Sequence, residues 1–276
     1  MIQEERRCGY KGRVLGYVDL HAHVLPGIDD GPPDADGALA MLRAAAAAGT
    51  GMLAVTPHLR SDFPNVHVSE LTRRCQDLRE ASEMAGIDIQ IVPGAEVSLV
   101  WALEATDEQL ALATYDQQGT DLLIETPTFN VVGLERLLYR LRAKGLRVTL
   151  AHPERSVEFR RDPWRLVDLV RQGVLVQVNA ETLLAGPRRS DTHRLGRHLC
   201  AEGLAHAVAS DGHRAKSWRP VTSLAEAASA AETLVGPDRA RWLTQAAPAA
   251  IIAGAELPEA PAVRAGSRRS KLLRRW

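Results

Sequence analysis

The sequence predicts an α/β fold built on parallel strands, and three observations carry that reading. Seven short apolar runs alternate with stretches of helix-forming residues along the 276-residue chain, the order expected of repeated β/α units. The runs are apolar at successive positions, as in strands covered by helices on both faces. Histidines and carboxylates gather at the ends of these runs, where β/α barrels assemble their sites.

The first run starts at Val18 and leads into DLHAHVLPGIDDG, Asp19 to Gly31. Side chains alternate along a strand, so His21 and His23 project the same way, with Asp19 in phase. Asp29 and Asp30 follow Pro26-Gly27, on a turn able to fold back over them. Ala35 to Ala48 consists of strong helix formers and closes at Gly49. GMLAVTPHLR is a strand ending in His58. Gly49-Thr50-Gly51 resembles the start of a dinucleotide fingerprint, but that motif runs from strand to helix and the order here is reversed.

A helix is expected from Ser69 to Ala85, then the strand IDIQIVPGAEV ending in Glu96. Trp101 to Ala113 reads as one helix, and DLLIETP as a strand ending in Glu125. Gly133 to Lys144 is amphipathic; LRVTLAHPER is a strand ending in His152. Pro163 to Gln172 is a helix with proline in its first turn, and VLVQVNAE a strand ending near Asn179. Thr192 to Glu202 is helical, LAHAVASDGH is a strand ending in Asp211 and His213, and two alanine-rich helices between Thr222 and Ile252 complete the pattern.

Composition narrows the function. A 45% hydrophobic chain of this length can bury a sizeable core,. Lys and Arg number 34 against 34 Asp and Glu, so no global field attracts nucleic acid or membrane. MIQEERRC lacks the apolar core of a signal peptide and no later run spans a bilayer, so a cytoplasmic location is expected. Cys8, Cys75 and Cys200 are widely spaced and read as reduced thiols. None is followed by arginine at the spacing of a cysteine-phosphatase loop. The expected organisation is an N-terminal extension (1–17), one domain (18–257), and a basic tail (258–276) carrying Arg264, Arg268, Arg269, Lys271, Arg274 and Arg275. The tail reads as a solvated end, with contact to a membrane surface or an acidic partner as the sharper alternative.

An H-x-H pair alone recurs by chance, so the metal reading depends on the other ligands. His21, His23, His58, Glu96, Glu125, His152, Asp211 and His213 all fall at or just beyond strand ends. His67, His193, His198 and His206 do not, and read as structural or solvent-facing. So many ligands exceed the roughly four that one zinc ion takes. They suit two or three ions sharing a carboxylate, with Glu96, from a middle strand, as the candidate bridge. Mixed imidazole and carboxylate ligation fits manganese, zinc or iron.

The ordered motifs DLHAH, DDG, TPH, GAE, IETP, AHPER and SDGH resemble the PHP (polymerase and histidinol phosphatase) superfamily. Within it the chain looks like the bacterial tyrosine-protein phosphatases of capsular and exopolysaccharide operons, the CpsB/YwqE type. The resemblance spans Val18 to Ile252. It implies a distorted seven-stranded (β/α)7 TIM-like barrel with three divalent metal ions, Mn2+ first, with Zn2+ or Fe as alternatives. By motif, His21, His23, Glu96 and Asp211 would hold one ion; Glu96, Glu125 and His152 a second; Asp30, His58 and His213 the third. Arg155 matches an arginine that holds the substrate phosphate. Arg219 fits a second such arginine if one residue is inserted, with Arg214 the fallback. Taken outside the motif, Arg155 could equally pair with Glu154.

The expected reaction is hydrolysis of phosphotyrosine by a metal-activated hydroxide, on a bacterial tyrosine kinase controlling capsule or exopolysaccharide synthesis. Competing readings are a small-molecule phosphatase such as histidinol phosphatase and a non-catalytic metal-binding scaffold. A nuclease is disfavoured because no basic groove is evident.

Overall fold

The computed structural model describes residues 16–129, 132–184 and 190–263. The N-terminal extension through residue 15, with Cys8, lies outside the described residues, as do the basic side chains of the tail from Arg264 onward. The described residues form nine strands: β1 (Tyr17–Ala22), β2 (Thr50–Val55), β3 (His58–Leu59), β4 (Gln90–Pro93), β5 (Glu96–Val97), β6 (Asp121–Glu125), β7 (Arg147–Ala151), β8 (Leu175–Asn179) and β9 (Ala207–Ala209). They make two sheets, β1-β2-β4 and β3-β5-β6-β7-β8-β9. Every pairing between them is parallel, as the buried apolar runs require.

The ladders therefore draw two sheets and nine strands where the sequence predicts one seven-stranded ring. The second and third expected strands each break in two. Pro57, which has no N–H to give a ladder, separates β2 from β3. Gly94 separates β4 from β5 where the Tyr115 ring crosses, and a Cβ there would meet Tyr115 Cδ1 at 2.9 Å. Single hydrogen bonds carry the chain across these gaps: Gly94 N–H donates to Val55 O at 3.0 Å and Glu96 N–H to Pro57 O at 3.1 Å. The first strand is joined to the chain just past the last, where Asp211 N–H donates to His21 O at 2.9 Å and His23 N–H to Gly212 O at 2.8 Å.

The helices follow local signals. Ala35–Ala47 begins at Asp34, whose carboxylate accepts the Gly37 N–H at 2.8 Å, and ends before Gly49 at φ 92°, a conformation open to glycine. The single helix expected over Trp101 to Ala113 is two, Leu99–Glu104 and Asp107–Ala113. Thr106 starts the second by a capping box: its hydroxyl accepts the Gln109 N–H at 3.2 Å, and Gln109 accepts the Thr106 N–H at 2.9 Å,. After Ser223–Val235, a turn at Gly236 leads to Pro237–Arg241 and, through one π-helical stretch, to Ala247–Ile252.

Packing decides where the site sits. One face of the strands, including Leu122, Ile124, Val148, Val176 and Val208, packs against the helices. The other face, including Val18, Leu20, Leu123, Leu175, Ala207 and Ala209, closes over a smaller core with Tyr115, Ile251 and Ile252. Two residues further along that inner face the chain turns polar, at Glu125, Gln177 and Asp211, because strand side chains repeat with period two. The apolar plug thus ends in a polar layer at the C-terminal ends of the strands.

Cys75 and Cys200 are both free and buried, and burial pushes their thiols up to about 11 and about 12. Thiolate is the reactive form, so alkylation of the native protein at neutral pH should leave both unmodified. Mass mapping before and after denaturation checks this, and native labelling of either would refute the packing described.

Candidate metal centre

Glu96, at the start of β5, is fully buried and surrounded by imidazoles. Its Oε1 lies 2.8 Å from His152 Nε2. Its Oε2 lies 2.9 Å from His58 Nδ1, 3.4 Å from His21 Nε2 and 3.5 Å from His23 Nε2. His21 and His23 face each other through Nε2 atoms 3.2 Å apart, and each lies 3.7 Å from Asp211 Oδ1. Beyond them, Asp30 Oδ1 lies 3.2 Å from His213 Nε2 and 3.5 Å from His58 Nε2.

These atoms fall into three overlapping groups whose members lie within 4.8 Å of one another: His21, His23 and Glu96; His58, Glu96 and Glu125; and His23, Asp30, His58 and His213. Their chemistry fits cations. Glu96 Oε2 and His58 Nδ1 are buried and make no hydrogen bond, an expensive arrangement in a dry site unless something between them accepts their lone pairs. Ligand atoms about 3 Å apart are what two bonds of about 2.1 Å to a shared ion produce. The structure thus brings together all nine residues singled out by motif. It also brings His58 to Glu96 and Glu125 as well as to Asp30 and His213.

Local backbone aims several of these groups. His152 (φ 36°) and Asp211 (φ 50°) both occupy the left-handed region, which costs a non-glycine residue about 1–3 kcal/mol. Each ends a strand, and the reversal turns its side chain back into the centre. The cost is retained where other contacts overdetermine the geometry, and here those are the Asp211 carboxylate contacts and the Glu96–His152 pair.

A layer of supporting hydrogen bonds fixes the imidazoles. Asp29 Oδ2 accepts from His23 Nδ1 at 2.8 Å and from the His58 N–H at 3.2 Å. Gln177 Oε1 lies 3.1 Å from His21 Nδ1 and accepts the His152 N–H at 3.3 Å. Asn179 Nδ2 donates to Asp211 Oδ2 at 2.7 Å. Such partners orient a ligating histidine and set its tautomer. Gln177 is not among the strand-end histidines and carboxylates of the motifs, although a glutamine between valines in VLVQVN is a polar interruption at the inner-face period. Asp19 does not join the cluster: it is buried, pushed up to about 6 by burial, and accepts the Ser210 N–H at 3.0 Å.

Electrostatics prepare the site for charge. Burial opposes ionisation of Glu96, yet the neighbouring His21 and His58 hold it well below the usual carboxylate range. Burial also disfavours protonation of His21 and His23, but Glu96 and Asp211 hold the first, and Asp29 and Glu96 the second, above the ordinary imidazole value. His152, by contrast, is pushed down to about 4 by burial. It is neutral at pH 7, as a metal ligand must be.

Three arginines approach this layer. Arg155 Nη1 donates to Asp211 Oδ2 at 3.1 Å. Its neighbour Glu154 turns the other way, accepting the Asn179 N–H at 2.7 Å and the Thr182 hydroxyl at 3.1 Å, so the pairing of Arg155 with Glu154 that adjacency suggests does not form. Arg219 Nη1 lies 3.4 Å from both Asp211 Oδ1 and His213 Nε2. Arg214 is occupied elsewhere, donating to the carbonyls of Asp30, Gly31 and His213 at 2.7, 2.8 and 2.7 Å. Arg60, which the sequence argument did not single out, pairs with Glu125 Oε1 at 2.9 Å.

Comparison with known proteins places this geometry. A family model described as capsular polysaccharide synthesis, CpsB/CapC, matches residues 17–253. The tyrosine-protein phosphatase YwqE of Bacillus subtilis (strain 168) is 30% identical over 201 residues, covering 72% of this chain and 78% of that protein. The tyrosine-protein phosphatase CpsB of Streptococcus pneumoniae is 24% identical over 217 residues, covering 74% and 85%. Among solved structures, one from a study of YwqE and CpsB, described there as unique metal-dependent tyrosine phosphatases, superimposes with a TM-score of 0.76 at 27% identity, covering 90% of this chain and all of the other.

Two outcomes follow from the supporting layer and the charges. Asp29→Ala should weaken divalent-cation binding by about 10- to 100-fold without unfolding the protein; calorimetric titration with Mn2+ measures it, and unchanged affinity would remove Asp29 from this role. Because His21 and His23 are held above 6.5, a cation must displace protons there. Apparent affinity should therefore fall as pH drops through that raised range, and a titration at pH 6 and pH 8 showing the opposite order would contradict the assignment.

Proposed function

This chain belongs to the capsular polysaccharide synthesis CpsB/CapC family, and on that premise we propose that it is a metal-dependent phosphatase that hydrolyses phosphotyrosine in proteins. The observation that carries the reading is the convergence of two guanidinium groups, Arg155 and Arg219, on Asp211 at the rim of the Glu96-centred cluster. A scaffold has no use for arginines poised beside a cation site, whereas a phosphate ester needs both.

In this proposal residues 18–257 are the catalytic domain, and the two sheets are the parts of one distorted seven-position barrel. His21, His23, Glu96 and Asp211 hold the first ion; Glu96, Glu125 and His152 the second; Asp30, His58 and His213 the third, with manganese the expected metal. The distances from Glu96 to four imidazoles support its place at the junction. Divalent cations in such a set lower the pKa of a bound water to about 7 and neutralise phosphate charge.

The remaining work falls to the protein. Arg155 and Arg219 bind the non-bridging phosphate oxygens, each able to present two parallel N–H groups while staying charged. Arg214, spent on three carbonyls, fixes the loop that carries Arg219. Asp29 and Gln177 keep the imidazoles in register, and Asn179 holds Asp211. The tyrosine leaving group, a phenolate with a pKa of about 10, needs less proton assistance than an alkoxide, so no dedicated acid is required. The substrate in the cell, on this reading, is the phosphotyrosine of a bacterial tyrosine kinase that governs capsule or exopolysaccharide synthesis.

Chelation should abolish turnover of a phosphotyrosyl peptide and Mn2+ should restore it. Arg155→Ala should lower kcat/KM by about 10²- to 10³-fold with metal content unchanged by elemental analysis; loss of metal as well would make Arg155 a structural residue. The phosphotyrosyl peptide should be turned over faster than histidinol phosphate, and the reverse order would favour a small-molecule phosphatase.

A further inference from the structure

Arg219 is delivered to the site by a short, constrained loop whose exposed tip is a tryptophan. The loop is closed at its base by a β-bridge between Arg214 and Pro220, and by the His213 N–H donating to Arg219 O and the Val221 N–H to Arg214 O, both at 2.9 Å. Ser217 (φ 73°) and Arg219 (φ 47°) both adopt left-handed backbone, a strained conformation for residues with a Cβ. The Arg214 guanidinium bonds to Asp30 O and Gly31 O tie the loop to the turn after β1. The result of this bracing is a fixed position for Trp218.

Trp218 is 56% exposed, which is unusual for a side chain with so much apolar area to bury. Its ring nevertheless has two defined contacts in the site. It meets the His213 ring at 5.2 Å between centroids, inclined by 60°, and the Arg219 guanidinium lies 5.0 Å from its centroid. Across the His58–His213 pair, whose rings are 6.4 Å apart, Phe63 stacks on His58 at 5.1 Å and 3°. Aromatic surface therefore flanks the mouth beside the phosphate-facing arginine, on a protein whose aromatic content is only 4%.

We propose that Trp218 is the wall against which the aromatic ring of the substrate packs, so that it selects aryl over alkyl phosphate esters at this site. The inference rests on the phosphatase reading above and adds the origin of its selectivity. A phosphate held by Arg219 places its ester group beside the braced indole. A flat aryl group there covers the exposed ring and gains aromatic contact, whereas an alkyl ester of serine or threonine has no flat face to lay against it. Because the loop is braced at its base and to the turn after β1, the indole is pre-positioned and less conformational entropy is lost when the ring docks.

Binding of three non-hydrolysable or product-like probes to the Mn2+-loaded full chain tests this by calorimetry: phenylphosphonate, methylphosphonate and inorganic phosphate. Trp218→Ala should weaken phenylphosphonate by roughly tenfold, leave the other two within about twofold, and leave metal content unchanged. Trp218→Phe should keep most of the phenylphosphonate affinity. Equal weakening of all three probes would overturn the inference, since Trp218 would then act only by steadying Arg219; no change in any probe would overturn it too, placing the aryl group elsewhere. Failure of the wild-type protein to hydrolyse a phosphotyrosyl peptide would instead sink the phosphatase reading, and the calorimetric contrast would still report on the aryl wall.

Discussion

A single buried carboxylate, Glu96, meets four imidazoles, and the polar end of the fold is arranged around that contact. His21, His23, His58 and His152 come from three different parts of the chain, yet each has a ring nitrogen within 3.5 Å of one Glu96 oxygen. Such a concentration of buried lone pairs is tolerable only if charge is balanced locally. Glu96 supplies part of that balance, and cations held by the three groups of candidate ligands would supply the rest. The same requirement explains why the supporting groups are themselves carboxylates and amides. They must accept from the far ring nitrogens so that the near ones remain free to ligate.

The architecture delivers these groups by one economical rule. Parallel strands all end on the same side, and the inner faces of β6, β8 and β9 change from apolar to polar at or near their C-terminal ends. Leu123 precedes Glu125, Leu175 precedes Gln177, and Ala209 precedes Asp211, so the apolar core under the site continues directly into the ligand layer. Left-handed backbone at His152 and Asp211 then reverses the chain just past the ends of β7 and β9. The interruptions at Pro57 and Gly94 detach His58 and Glu96 from the ladders below them, leaving two short strands that pair only with each other and with β6.

Positive charge is graded across the mouth. Arg60 faces Glu125 on one side, and Arg155 and Arg219 face Asp211 on the other. Arg214, which is close in sequence to Arg219, serves the backbone instead. The Nη1 of Arg214 is held by three backbone carbonyls, whereas the Arg219 Nη1 contacts a shared carboxylate at 3.4 Å. The two arginines that the sequence motif leaves as alternatives thus differ in their contacts: one holds backbone, the other faces the carboxylate of Asp211.

The sequence by itself determined the parallel α/β class, the alternation of strands and helices, and the set of residues at the strand ends. Each of these is written in local periodicity or in a short motif, and local patterns survive translation into structure. Two local signals, Pro57 and the Thr106 capping box, divide an expected strand and an expected helix within that pattern,, whereas the tertiary structure alone decided that β4 stops short under the Tyr115 ring, that Asp29 supports a histidine while Asp19 turns to Ser210, and that Glu154 abandons its neighbour Arg155. Those outcomes depend on which atoms lie within 3 or 4 Å after separate segments, some as distant along the chain as Asp19 and Ser210, have packed. Single backbone angles and the crowding of a ring such as Tyr115 settle them, and no periodicity encodes either.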